Sequence, residues 1–137
     1  MKKLILILLF PIIANAQLDY SAALQFQNGL RSYFEIPFLE YDSLLSESAQ
    51  AWADHIAITN DFSLSNSEYG ETIYNFNKAY YNPDLNYLLD AVVHWTIQDE
   101  KSSFYQMTYP EATKVGFGIS ENNNSIFVVA KYDKAWR

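Results

Sequence analysis

The chain has no cysteine at all. A small exported domain often leans on disulfides, and that route is closed here, so the fold must be held by its core. The absence also removes thiolate metal ligands and a cysteine nucleophile. Histidine is nearly absent too, with two residues, His55 and His94. Basic residues are few: nine Lys and Arg stand against 16 Asp and Glu, a net charge of −7 over 137 residues. That balance argues against holding nucleic acid or anionic lipid headgroups through a basic patch. Repeats and low-complexity linkers are missing, and the length suits one domain.

One apolar run is present, at the start. Met1-Lys2-Lys3 is basic, Leu4 to Ile13 is nearly unbroken apolar sequence, and Ala14-Asn15-Ala16 supplies small residues at the cleavage positions. This is the pattern of a secretory signal, and the run is too short to span a bilayer comfortably. We expect residues 1–16 to be removed and 17–137 to form the mature domain. Losing Lys2 and Lys3 leaves seven basic side chains against 16 acidic ones, a net charge of −9. No second long apolar run follows, so the mature chain is expected to be secreted and extracellular, or periplasmic in a bacterium, without a transmembrane anchor.

What the sequence has in quantity is aromatic residues, 17% of the total and mostly Tyr and Phe. They give a short domain enough surface to bury. Leu18 to Tyr33 predicts a helix, with Leu18, Ala22, Ala23, Phe26 and Leu30 at helical spacing and Asp19 or Ser21 to cap it. Pro37 ends it. Asp42 or Ser43 opens a second helix, with Glu47 near its first turn. Leu44, Leu45, Ala49, Trp52 and Ile56 form its apolar stripe, and Thr59-Asn60-Asp61 stops it. Tyr69 to Phe76 is open to a helical or an extended reading. Pro83-Asp84 predicts the start of a third helix, with Leu85, Leu88, Leu89, Val92 and Trp95 on one face. Trp52 and Trp95 are expected to be largely buried.

The end of the chain reads as β. The aromatic content of Phe104 to Tyr109 predicts a strand. Val115 to Ile119 alternates apolar residues with glycine, and Glu121 to Asn124 is a turn. Ile126 to Ala130 is a continuous apolar strand, central and covered on both faces. Asn123-Asn124-Ser125 matches a glycosylation acceptor, relevant only to a eukaryotic exporter. Helices first and a hairpin last predict an α+β fold, a three-layer α-β-α sandwich with a small antiparallel sheet.

The stretch most suggestive of chemistry is Tyr69-Gly70-Glu71-Thr72-Ile73-Tyr74. A carboxylate beside a glycine, entered from a polar loop, can point inward from a bend as ligand, base or hydrogen-bond acceptor. The same residues also fit a turn with a solvated Glu. His55 and His94 read as surface or satisfied side chains, since His94 has no partner at metal-ligand spacing on its helix.

Six segments in order resemble the CAP superfamily, also called the SCP domain: cysteine-rich secretory proteins, antigen 5 and plant pathogenesis-related proteins. They are Gln27-Asn28-Gly29-Leu30-Arg31, with Gln where the family has His; Pro37 to Tyr41; Ala49-Gln50-Ala51-Trp52-Ala53; Tyr69-Gly70-Glu71-Thr72-Ile73; Ala91-Val92-Val93-His94-Trp95; and the closing pair Lys114 to Gly118 and Phe127 to Tyr132. The resemblance covers about Ala22 to Asp133. It implies a central cleft that in the family carries two His and two Glu, with a divalent metal in some members. Carried over by motif, those positions fall on Leu64, Glu71, Gln98 and Ser103. A small register shift makes Asp99 or Glu100 the second carboxylate. No shift supplies a histidine.

A Zn²⁺ site usually wants imidazole or thiolate ligands, so no metal and no cofactor is expected. A hydrolase, whether metal-dependent or serine-based, needs an activated water or nucleophile, and Ser65 and Ser103 have no His base at the matched positions. The resemblance therefore implies a non-catalytic binding module for a lipid or sterol, or for a protein partner. A peptidase-like hydrolase is the alternative, and a purely structural or interaction protein is another. Tyr69 and Tyr105, with Tyr74, Phe104 and Tyr109, are the aromatic candidates to line the cleft. Glu71 is either its polar anchor or a tie between loop and sheet.

Overall fold

The computed structural model describes residues 19–137. The expected signal segment and its cleavage site lie outside them. The elements in order are α1 (Ser21–Tyr33), β1 (Glu40–Tyr41), α2 (Ser43–Thr59), β2 (Gly70–Asn77), α3 (Tyr87–Ile97), α4 (Ser102–Met107), β3 (Lys114–Glu121) and β4 (Ser125–Tyr132). A single 3₁₀ turn, Lys78–Tyr80, follows β2.

The strands form one sheet in the order β1-β3-β4-β2. β4 is central, as its unbroken apolar sequence requires, and pairs antiparallel with both β3 and β2. The two-residue β1 adds a parallel edge to β3. Alternation along β4 divides the core. Phe127 and Val129 face α2, against Ala49, Ala53, Ile56 and Ala57. Val128, Ala130 and Tyr132 face the opposite layer, where α1, α3 and α4 contribute Ala23, Trp95 and Met107. The expected α-β-α sandwich is therefore the observed fold.

Local chemistry explains most boundaries. The Asp42 carboxylate caps α2 by accepting from the Leu45 N–H at 2.9 Å, and Asn60 ends it in the left-handed region at φ 58°, a conformation Asn tolerates. α1 has Tyr20 at its cap position with no side-chain cap bond. Asp19 instead accepts from the Ser21 hydroxyl at 3.2 Å.

Four sequence expectations are corrected. First, α3 starts at Tyr87, not at Pro83-Asp84: Asn86 takes the capping role through Leu89 N–H, and its pull outweighs the N1 preference of Pro83. Second, residues 102–107 are helix, not strand. Strand preference of aromatic residues reflects packing on a pleated surface. Here a helical turn instead sends Gln106 and Met107 inward together, both buried. Third, Trp52 is only half-buried. It lies at the edge of the α2 core, stacked on His55 at 4.5 Å between ring centroids, whereas Trp95 is fully buried. Fourth, the inward face of α1 is Ala23, Gln27 and Arg31, while Phe26 faces out and Leu44 on α2 is exposed.

Arg31 shows how polar residues are carried inside without disulfides nearby. Its guanidinium donates to four carbonyls, those of Pro37 (2.8 Å), Met107 (3.0 Å), Tyr109 (2.9 Å) and Ala112 (2.8 Å). One planar fork thereby ties α1 to the segments before β1 and before β3.

Candidate functional site

Glu71 follows Gly70 at the beginning of β2, and Tyr69 to Phe76, left open by the sequence, is extended here. In the register of β2 on β4, Glu71 lies directly opposite Lys131, so both side chains share the α2 face of the sheet. Their charged ends meet: Lys131 Nζ is 3.4 Å from Glu71 Oε2, with side chains only 5% and 3% exposed. Ser65 completes the cluster. Its backbone N–H donates to Glu71 Oε1 at 2.8 Å, and its hydroxyl donates to Oε2 at 2.5 Å. The Lys131 ammonium in turn donates to Ser65 Oγ at 3.2 Å and stands 5.9 Å from the centre of the Tyr69 ring. The carboxylate thus ties the polar loop to two strands.

Above this cluster is a cleft of about 260 Å³, between the loop of Leu64 to Tyr69, the start of β2, the first turn of α4 and the C-terminal segment. Of the residues singled out from the sequence, Leu64, Tyr69 and Glu71 line it. Gln98, the C-terminal cap of α3, and Ser103 do not. Ser102 lines it instead of Ser103, and the exposed Glu100 accepts from the Ser102 N–H at 2.7 Å and from its hydroxyl at 2.5 Å. The hydrogen bonds from Ser102 lower the Glu100 pKa. Tyr105 stands just outside, 46% exposed, its ring 5.1 Å from that of Trp136, which does line the cleft.

Three contributors were not singled out from the sequence. Gln106 packs against Gly70 so closely that a Cβ there would lie 2.3 Å from Gln106 Oε1. Its amide donates to the Lys134 carbonyl at 2.9 Å and accepts from the Trp136 N–H at 2.8 Å. That clamp sets Trp136 at the cleft mouth. Lys131 is the third, and only strand register reveals it. A glycine beside Glu71 was the available signal for Gln106, because such a position permits close approach.

Trp136 also begins an aromatic shoulder. Rings of Tyr105, Phe104, Phe34 and Tyr33 follow one another at 5.0–6.2 Å between centroids. Tyr33 is 80% and Phe34 47% exposed.

Neither histidine lines the cleft. His55 is exposed on α2 beside Trp52, and His94 is exposed on α3, edge-on to Tyr74 at 5.6 Å. Among the described residues, no three His, Cys, Asp or Glu side chains converge. The donor set does not fit a divalent transition metal: Glu71 is the one Asp or Glu side chain among the residues lining the cleft, and both its oxygens already accept hydrogen bonds, one of them also facing an ammonium. Among the described residues, no helix is long and apolar enough to cross a membrane.

Comparison with known proteins agrees with the fold. The sequence matches the model of the Cysteine-rich secretory protein family, CAP, over residues 24–132. No curated protein matches it. Among solved structures, the fold is similar to NaASP2, crystallised with Zn²⁺, at 18% identity and a TM-score of 0.71, covering 85% of this chain and 79% of that one. It is also similar to the hookworm platelet inhibitor, at 20% identity and TM-score 0.66, covering 85% and 69%. A third is venom allergen-like protein 4 of Schistosoma mansoni, at 13% identity and TM-score 0.65, covering 85% and 88%. These likenesses carry the fold, and the family model spans most of the sequence: the chain belongs to the cysteine-rich secretory protein, or CAP, family.

Proposed function

We propose that this CAP-family chain is a secreted, non-catalytic binding module, and that it engages a protein partner through the mouth of the Glu71 cleft and the aromatic shoulder beside it. The observation that carries this reading is the pairing of a small cleft with a large exposed aromatic surface. At about 260 Å³ the cleft falls below the roughly 300–1,000 Å³ range of sites that bury a drug-sized ligand. That favours a partner's side chain over a whole sterol or lipid. Trp136, Tyr105, Phe34 and Tyr33, at 40–80% exposure, are the residue types that anchor protein interfaces. The acidic excess of the chain suits a basic partner, with faster association at low salt.

Two features support a binding role over hydrolysis. Ser65, whose hydroxyl accepts from an amine at 3.2 Å, donates to Glu71 and does not line the cleft. The amine it meets belongs to Lys131, whose side chain is 5% exposed and turned to the same carboxylate. Members of the family are typically extracellular, in keeping with the signal pattern of residues 1–16.

The test uses immobilised mature chain and a Tyr105→Ala/Trp136→Ala variant, both exposed to extracellular fluid of the source organism, with bound proteins identified by mass. We expect a basic protein retained by the native chain and lost from the variant. Organic extraction of native chain is run beside it. A sterol or lipid recovered at one equivalent, with no variant-sensitive protein, overturns the reading in favour of a lipid carrier.

A further inference from the structure

We propose that Lys131 is the resident cation of the Glu71 site, doing for that carboxylate what a bound divalent ion would do, so that the site is complete and metal-independent as folded. The inference goes beyond the binding reading and needs no partner. It rests on the misfit between the donors present and a metal, and on what occupies the space instead.

Glu71 enters the α2 face of the sheet with its side chain only 3% exposed, a position that is costly for a carboxylate without a counter-charge. Lys131 is directly opposite on β4. On the other side of Lys131 the register partner is Gly116, where the α2 backbone at Leu45 and Ser46 packs directly on the strand. The lysine stem therefore lies within the layer, and its ammonium meets three partners: Glu71 Oε2 at 3.4 Å, Ser65 Oγ at 3.2 Å and the face of Tyr69 at 5.9 Å. A carboxylate, a hydroxyl and an aromatic face are suitable company for a compact point charge. A divalent ion entering at Glu71 would have to displace this ammonium or stand beside it, and like charges at such separation repel strongly where water is excluded. Leu64 at the cleft contributes no donor. The cation of this site is thus encoded in the sequence and not drawn from solution.

Thermal melting of the mature chain tests this, with EDTA, millimolar Ca²⁺ or millimolar Zn²⁺. The native midpoint is expected to stay within about 1 °C in all three. Lys131→Ala leaves the carboxylate buried and unpaired, and its midpoint should fall by roughly 10 °C or more. It should then recover at least about 5 °C with one of the two ions, because a ligand of the folded state alone stabilises it. The double variant Glu71→Gln/Lys131→Ala should be less destabilised than Lys131→Ala and indifferent to both ions. Should Lys131→Ala fail to fold in EDTA, ion-dependent recovery of its circular dichroism reads the same gain. Lys131→Arg keeps the charge and should fold and ignore metals. Native chain stabilised by Zn²⁺ or Ca²⁺ and losing that response in Glu71→Gln overturns the proposal. So does Lys131→Ala that melts like native or responds to neither ion, and so does Lys131→Arg that gains a metal response.

Discussion

Gly118→Ala should loosen α2 from the sheet and weaken the cleft at a distance. A Cβ at Gly118 would lie 2.4 Å from Gln50 N and 2.5 Å from the Ala49 carbonyl carbon. Ordinary contact needs about 3.5–4.0 Å between carbons. The obstacle is helix backbone, so no rotamer change relieves it, and α2 must retreat by about 1 Å. Overpacking of this kind costs about 1–3 kcal/mol. The retreat also stretches the bonds by which Gln50 clasps Ile119, donating to its carbonyl at 2.7 Å and accepting from its N–H at 3.0 Å. The Ser46 hydroxyl, which accepts from the Phe117 N–H at 3.0 Å, is strained with them. At about 1 kcal/mol for each of the three bonds if lost, added to the overpacking, the total reaches about 4–6 kcal/mol, a large share of a small domain's stability. Urea unfolding followed by circular dichroism measures it, with the native m-value retained. Gly29→Ala is the control: it sits in α1 with nothing within 4 Å of its added Cβ and should be neutral or stabilise by up to about 1 kcal/mol. Gly118→Ala within about 1 kcal/mol of native would refute the claim that this glycine exists to admit the helix. The retreat has a further consequence, because Trp52 on α2 donates to the Ser63 carbonyl at 2.8 Å, and Ser65 two residues on holds Glu71.

Trp95→Ala should cost about 3–5 kcal/mol, since the ring is fully buried and its N–H donates to the Ile73 carbonyl at 2.8 Å. Half-buried Trp52→Ala should cost about 1–2 kcal/mol, and the reverse order in urea melts would show the helix faces to be wrong. The Asp133 carboxyl is pushed up by partial burial but pulled further down by donors from Thr113 and Lys114, so its pKa is lowered in the fold. A lowered folded pKa gives stability that is present above the unfolded value, near 3.8, and lost as pH falls through the folded one. Asp133→Asn should therefore show a shallower loss of midpoint on acidification below about pH 4, and an unchanged acid slope would count against these bonds. Exported protein should begin at Gln17 by N-terminal sequencing, and an intact Met1 would sink the signal reading.

Much of the fold was legible because its causes are local or periodic. The Asp42 cap, the Asn60 stop, the apolar stripe of α3 and the unbroken apolar β4 each announce themselves within a few residues. The helix at 102–107 was not legible: Phe104 and Tyr105 suit a strand as well as a helix, and only the places awaiting Gln106 and Met107 decide. For the same reason α1 misled, since Gln27 and Arg31 look like solvent-facing residues until four carbonyls are found around the guanidinium.

At the site the division is sharper. The sequence by itself determined that a carboxylate beside a glycine opens a strand-or-helix segment after a polar loop, and that no imidazole or thiol stands at the matched cleft positions. Tertiary structure alone decided what that carboxylate does. Glu71 and Lys131 are 60 residues apart in the chain, and their opposition depends on the antiparallel register of β2 on β4; a slip of one residue would turn one of them to the other face. Ser65 reaches them only because Trp52 and the loop bring it back over the sheet, and Trp136 reaches the cleft only because Gln106 clamps the C-terminal segment. Residue types are read from a sequence, but which charges share one dry space is set by register and packing.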